Sequence, residues 1–142
     1  MKHLARRNFL QVFGSSTALS MLVGSGLLKP GMALAVDFNR SAFEAKTAAD
    51  ALRLIGAAGA ETSPDILLKA PEIAENGAVV PVGVASTLPN VTMVAILIEK
   101  NPNALAASFV LPEGTEANVQ TRVKMGQTSN IYALVKSDGK FF

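Results

Sequence analysis

Between residues 78 and 100 the chain is apolar at nearly every position, reading A-V-V-P-V-G-V-A-S, then a short T-L-P-N-V, then T-M-V-A-I-L-I-E-K. Val80, Val82 and Val84 fall on a period of two, as do Val94, Ile96 and Ile98. The intervening Val79, Ala85, Met93, Ala95 and Leu97 are apolar as well, a pattern that predicts strands covered on both faces. A buried helix would tolerate such a run. The β-branched residues, Pro81 and Gly83 inside the first segment, and the Leu88-Pro89-Asn90 breaker favour two antiparallel core strands instead. Pro81 has no N–H to give to a ladder, so it belongs near an edge or a bulge.

The flanking segments repeat the β theme after one helix. Ser41-Ala42-Phe43-Glu44 fits a capping box, which starts a helix at Ala42. Phe43, Ala48, Ala51, Leu52 and Ile55 then recur at spacings of three and four, and Gly56 is a plausible stop. The small Ala48 and Ala51 let that face lie close to a surface, and the domain's own sheet is the expected one. A short strand over 65–69 ends at Pro71, and Asn76-Gly77 signals a tight turn. Leu105, Ala107, Phe109 and Leu111 alternate along a further strand. From 119 to 125, Val119, Thr121, Val123 and Met125 face one way and Gln120, Arg122 and Lys124 the other, the mark of an antiparallel strand with one wet face. Arg122 and Lys124 would suit an anion, although two cations on a wet strand face ordinarily only solubilise. Asn90-Val91-Thr92 matches a glycosylation triplet and is read as coincidence. A last strand over 129–137 leads into Asp138-Gly139, the pair preferred in a two-residue hairpin turn, followed by a returning strand of at most three residues, 140–142. So short a return leaves an unpaired edge, and the expectation is a sequence cut short. The fold class expected is all-β, an antiparallel sandwich with one N-terminal helix.

The first 35 residues read as an address. Arg6 and Arg7 precede a moderately apolar stretch over 10–28 that is interrupted by Ser and Gly, and Ala33-Leu34-Ala35 suits cleavage after Ala35. This is the pattern of a twin-arginine export signal. A membrane anchor is the competing reading, but so many Ser and Gly make a poor spanning helix. Processing changes the charge argument. Lys2, Arg6, Arg7 and Lys29 would leave with residues 1–35, turning 13 basic residues against 11 acidic into nine against 11, and +2 into −2. The basic balance of the full sequence is therefore an export feature and not a nucleic-acid surface. Residues 36–142 make one small domain, expected in the periplasm and long enough to bury roughly two thirds of its unfolded surface.

Candidate chemistry is sparse. The only histidine, His3, lies in the leader, and the sequence contains no cysteine or tryptophan. Without imidazole or thiol, a Ser-His-Asp or Cys-His site cannot be assembled, a zinc or copper site lacks its usual ligands, and neither a disulfide nor a covalent haem can form. The acidic residues are scattered singly and read as solvated surface. No catalytic, cofactor-binding or metal residue is assigned, no cofactor is expected, and the chain is not read as an enzyme. A small hydrolase using two convergent carboxylates is the weakest alternative.

Three stretches carry a family likeness: A-E-N-G-A-V-V-P-V over 74–82, E-K-N-P-N with L-A-A-S-F over 99–109, and T-R-V-K-M-G-Q-T-S over 121–129. In this wording and order the chain resembles the SoxY family, the sulfur carriers of the periplasmic thiosulfate-oxidising Sox system. The resemblance implies an immunoglobulin-like β-sandwich, a heterodimer with SoxZ, and export of that dimer under the signal carried here. It also implies a further strand and a Gly-Gly-Cys-Gly-Gly arm whose thiolate holds sulfur. Neither is present in this sequence, so no residue can take the carrier role, and a carrier fragment is expected. The alternative is a non-catalytic periplasmic binding or assembly module of the same fold.

Overall fold

Residues 38–142 are described by a computed structural model, and hold two short helices followed by seven strands. The export signal expected over 1–35, with Arg6, Arg7, Ala33 and Ala35, lies outside the described residues. Helix α1 is Arg40–Glu44 and α2 is Ala48–Ile55. The strands are β1 Ile66–Lys69, β2 Val80–Ser86, β3 Val91–Ile98, β4 Leu105–Val110, β5 Asn118–Val123, β6 Ile131–Ser137 and β7 Lys140–Phe141. They form two antiparallel sheets, ordered β1-β2-β5 and β4-β3-β6-β7, stacked as an immunoglobulin-like sandwich.

The apolar run of 78–100 does not fold back as a hairpin. Strand β2 pairs with β1 and β5, while β3 pairs with β4 and β6, so the two core strands belong to opposite sheets. A hairpin would set Val80, Val82 and Val84 beside Val94, Ile96 and Ile98 on one face. Crossing between sheets lets the two sets meet face to face, and all six are almost fully buried in one cluster. The crossing at 87–90 is local chemistry: Leu88 N–H donates to Ser86 Oγ at 3.2 Å, and Asn90 adopts a left-handed φ of 46°. Coverage on both faces holds for β3, whose Ala95 and Leu97 are buried beneath the helices. It fails for β2, where Val79 and Pro81 are exposed, because nothing among the described residues packs on that side. Pro81 sits where expected. Strand β1 reaches only as far as Gly83, so at Pro81 strand β2 has a neighbour on one side alone.

The expected single helix is broken in two, and its expected cap is not used. Asn39 Oδ1 accepts from Ala42 N–H at 3.1 Å, which places Ser41 inside the first helix. Ala45 then turns extended, at φ −60° and ψ 131°, and its carbonyl accepts from Ala104 N–H at 2.9 Å. A bond to the β3–β4 connection replaces a helical one there. Thr47 restarts the helix as its cap, its Oγ1 accepting from Asp50 N–H at 3.1 Å and donating to Asp50 Oδ2 at 2.8 Å. Gly56 ends it at φ 87°, as expected. The buried face, Ala42, Ala45, Ala51 and Ala57, packs on Ala95, Leu97, Leu105 and Leu134, which is the domain's own sheet. The Asp138-Gly139 turn also forms as expected, with φ of 48° and 78°, and returns the chain as β7.

Two stability predictions follow from this packing. Ile96 is 0% exposed between the sheets, so Ile96→Ala should cost about 2–5 kcal/mol in a denaturant titration, whereas Leu67→Ala, at a half-exposed site, should stay within about 0.5 kcal/mol. Thr47→Ala removes the cap of α2 and should cost about 1 kcal/mol at neutral pH. The Thr47 hydroxyl first, and then the Arg53 side chain, hold the Asp50 carboxyl below its ordinary value. A depressed folded value means the contribution is complete above the ordinary carboxylate range and is lost as pH falls through the lowered one. The penalty of Thr47→Ala should therefore shrink in strongly acidic buffer, which thermal melts across a pH series would register.

Candidate functional site

At one end of the sandwich β3 finishes, β6 begins and β2 starts, and the connections there are tied to one another by hydrogen bonds. Asn76 makes a tight turn, its Oδ1 accepting from Ala78 N–H at 2.9 Å, and this aims the Gly77 carbonyl at Met125 N–H, 2.7 Å away. Asn101 bridges the next pair of loops: Nδ2 donates to the Lys124 carbonyl at 2.7 Å and Oδ1 accepts from Gly126 N–H at 3.2 Å. Lys100 N–H donates to Ser129 Oγ at 2.9 Å, and Gln127 Nε2 donates to the Lys100 carbonyl at 3.3 Å. Glu99 closes the set by accepting from Asn130 Nδ2 at 2.9 Å and from Tyr132 OH at 3.3 Å on the same oxygen. Loops are ordinarily the mobile part of a domain, and here the 74–79 loop is tied to its neighbour once, through Gly77 and Met125, and the loops at 99–104 and 124–130 are tied to each other several times.

The stretches 74–82, 99–109 and 121–129, distant in sequence, supply this knitted end. Asn101 was legible only as a breaker of the chain; its bridging role needed the tertiary placement of Lys124 and Gly126. Gly77 is required by close approach, since a β-carbon there would lie 2.7 Å from the Met125 carbonyl oxygen. Ser129 is a structural hydroxyl, accepting from Lys100 and donating to the Asn130 carbonyl at 3.1 Å. The two cations singled out on the wet face separate. Arg122 stays on the outer face of β5 opposite Pro81, and Lys124 falls past the strand end into the knitted loops. Asp65, Glu99, Glu113, Glu116 and Asp138 are exposed, which fits solvated surface. Among the described residues no group of His, Cys, Asp or Glu is placed to hold a metal ion. Among the same residues no helix is long and apolar enough to cross a membrane.

The fold is an antiparallel β-sandwich, one end of which is a polar loop surface tied together by side-chain hydrogen bonds. Residues 51–142 match the family described as "Sulfur oxidation protein SoxY", and the chain belongs to that family. It is also similar to a solved structure, the sulfur carrier protein SoxY from Chlorobium limicola f thiosulfatophilum, with 37% identity and a TM-score of 0.62 over 70% of this chain and 88% of that one. No curated protein matches the chain.

Asn101→Ala removes two solvent-exposed hydrogen bonds that hold the 124–126 loop, and should cost about 0.5–1.5 kcal/mol and speed amide exchange at Gly126. Gly77→Ala should destabilise by more than about 1 kcal/mol, because the backbone contact with Met125 cannot give way as a side chain would. Gly59→Ala, with nothing within 4 Å of the added carbon, is the matched control and should be neutral or slightly stabilising.

Proposed function

We propose that the chain is the folded platform of a sulfur carrier in the Sox system, working in the periplasm as a heterodimer with SoxZ. Membership of the SoxY family is the observation that carries this reading, and the Chlorobium relative is described as a sulfur carrier. Sulfur held covalently between enzymes needs a thiolate, and these 142 residues include no cysteine. The platform and the sulfur-bearing thiol are accordingly separate parts: the sandwich supplies a rigid base and partner surfaces, and the thiol belongs to a Gly-Gly-Cys-Gly-Gly arm of the kind the family likeness implies. Joining such a thiolate to thiosulfate forms an S–S bond and releases two electrons, which a redox partner must accept.

Strand direction supports the arrangement. Strand β7 runs antiparallel to β6, and Phe142 exchanges both backbone hydrogen bonds with Val135 at 2.9 Å. That heading leads back along β6 toward the knitted end, so an arm joined after Phe142 would be delivered to the surface formed by loops 99–104 and 124–130. Export follows the twin-arginine route through Arg6 and Arg7, with cleavage after Ala35 specified by Ala33 and Ala35.

Two measurements test this reading. Intact-mass analysis of protein recovered from the periplasm of a twin-arginine-competent host should show an N-terminus at Val36; recovery only of membrane-bound chain still carrying residues 1–35 would overturn the export route. With SoxZ, the other Sox components and thiosulfate, a version extended by a final strand and a Gly-Gly-Cys-Gly-Gly tail should gain a sulfur adduct, while the 142-residue chain and a Gly-Gly-Ser-Gly-Gly version should gain none. An adduct on the cysteine-free chain, or none on the extended one, would count against the carrier reading.

A further inference from the structure

The two outer faces of the sandwich are unlike. The face of the β4-β3-β6-β7 sheet is roofed by α1 and α2. The outer face of β1-β2-β5 carries no covering element among the described residues, and its composition is unusual for a face that meets only water. The middle strand contributes Pro81 and Gly83, a low floor, while longer side chains rise from the strands on either side. Lys69 stands opposite Gly83 on β1, and Arg122 stands opposite Pro81 on β5. The result is a groove of about 650 Å³ along β2. Its two cations are separated by two strand spacings and offset by two residues along β2, roughly 12 Å apart at the backbone. None of the groove's lining residues is acidic, and neither Lys69 nor Arg122 is in an ion pair among the described residues. Apolar side chains adjoin it: Leu67 is 53% exposed on the same face of β1, and Val79, just before β2, is 49% exposed. A solubilising face would intersperse both signs of charge and hide its large apolar groups.

We infer that this face is the docking surface for the partner subunit of the heterodimer proposed above, and that the partner lays an extended, acidic segment over Gly83 between Lys69 and Arg122. The inference rests on the heterodimer reading and adds to it the surface and its chemistry. Carboxylates on both sides of the segment would meet one cation each, and the flat Pro81–Gly83 floor admits a main chain at close range. Gly83 is the point of closest access, because a β-carbon there would rest at 3.7 Å from both the Gln120 and Lys69 side chains and begin to fill the groove.

The test is titration calorimetry of the 142-residue chain with SoxZ at about 0.05 M and about 0.5 M salt, with sedimentation to report the stoichiometry. The parent should form a one-to-one complex that weakens as salt rises. Lys69→Glu with Arg122→Glu should weaken it about tenfold or more at low salt and flatten the salt dependence. Gly83→Leu should weaken it at both salt concentrations by occupying the floor. Lys140→Glu, on β7 of the other sheet, should bind as the parent does. Lys69 and Arg122 are exposed, so the double charge reversal should leave the thermal melt unchanged and keep the test decisive if Gly83→Leu fails to fold. A parent complex that all variants reproduce would overturn this surface and leave the heterodimer standing. A parent that forms no complex would overturn both. Loss of self-association in the double variant, with SoxZ binding intact, would assign the face to a second copy of this chain and overturn the proposal.

Discussion

Over 94–98 strand β3 has no wet side, and most of the architecture follows from that requirement. Val94, Ile96 and Ile98 must be covered on one face and Ala95 and Leu97 on the other, all at 1% exposure or less. No single layer can satisfy both faces. The β1-β2-β5 sheet covers the first set, bringing Val80, Val82 and Val84 across the sandwich, and the alanine face of α1 and α2 covers the second. The helices are short and individually marginal, so their stability comes from this contact more than from their own propensity. Their small side chains let backbone approach backbone, to the point that the Ala45 carbonyl bonds the amide of Ala104.

Covering β3 in this way also shapes the functional surfaces. Once β2 and β3 lie in opposite sheets, their connection occupies one end of the sandwich, and the loops at 74–79, 99–104 and 124–130 are brought together at the other. Side-chain amides and hydroxyls, those of Asn76, Asn101, Gln127, Ser129 and Asn130, satisfy the backbone and carboxylate groups exposed there. The loops at that end are therefore tied by hydrogen bonds and without a disulfide, consistent with a sequence that has no cysteine. The same division of labour uses the helices on one outer face and leaves the opposite face, with Lys69 and Arg122, uncovered.

Much of the fold was readable before any coordinates. Period-two alternation over 105–111, 119–125 and 129–137 located strands that form at 105–110, 118–123 and 131–137, because a half-buried strand writes its two environments into alternate residues, and the short run ending before Pro71 located the one at 66–69. Gly56 and Asp138-Gly139 were readable because only a few residue types tolerate a left-handed backbone. The capping box at Ser41 and Glu44 was a sound local pattern that lost to Asn39 and Thr47, since the helix had to break where Ala45 meets the β3–β4 connection. The knitted end was legible only as three family-like stretches in separate parts of the chain.

Local sequence determined which segments are strands, where the turns fall, what chemistry the chain lacks and which family it resembles, because each depends on neighbouring residues or on residue identity alone. Only the tertiary structure decided that β2 and β3 part into different sheets, that β2 is bare on one face while β3 is buried on two over 94–98, and that Asn101 and Glu99 tie the knitted end. Those outcomes depend on which surface remains to be covered once every other segment has packed, and no stretch of the chain carries that information by itself.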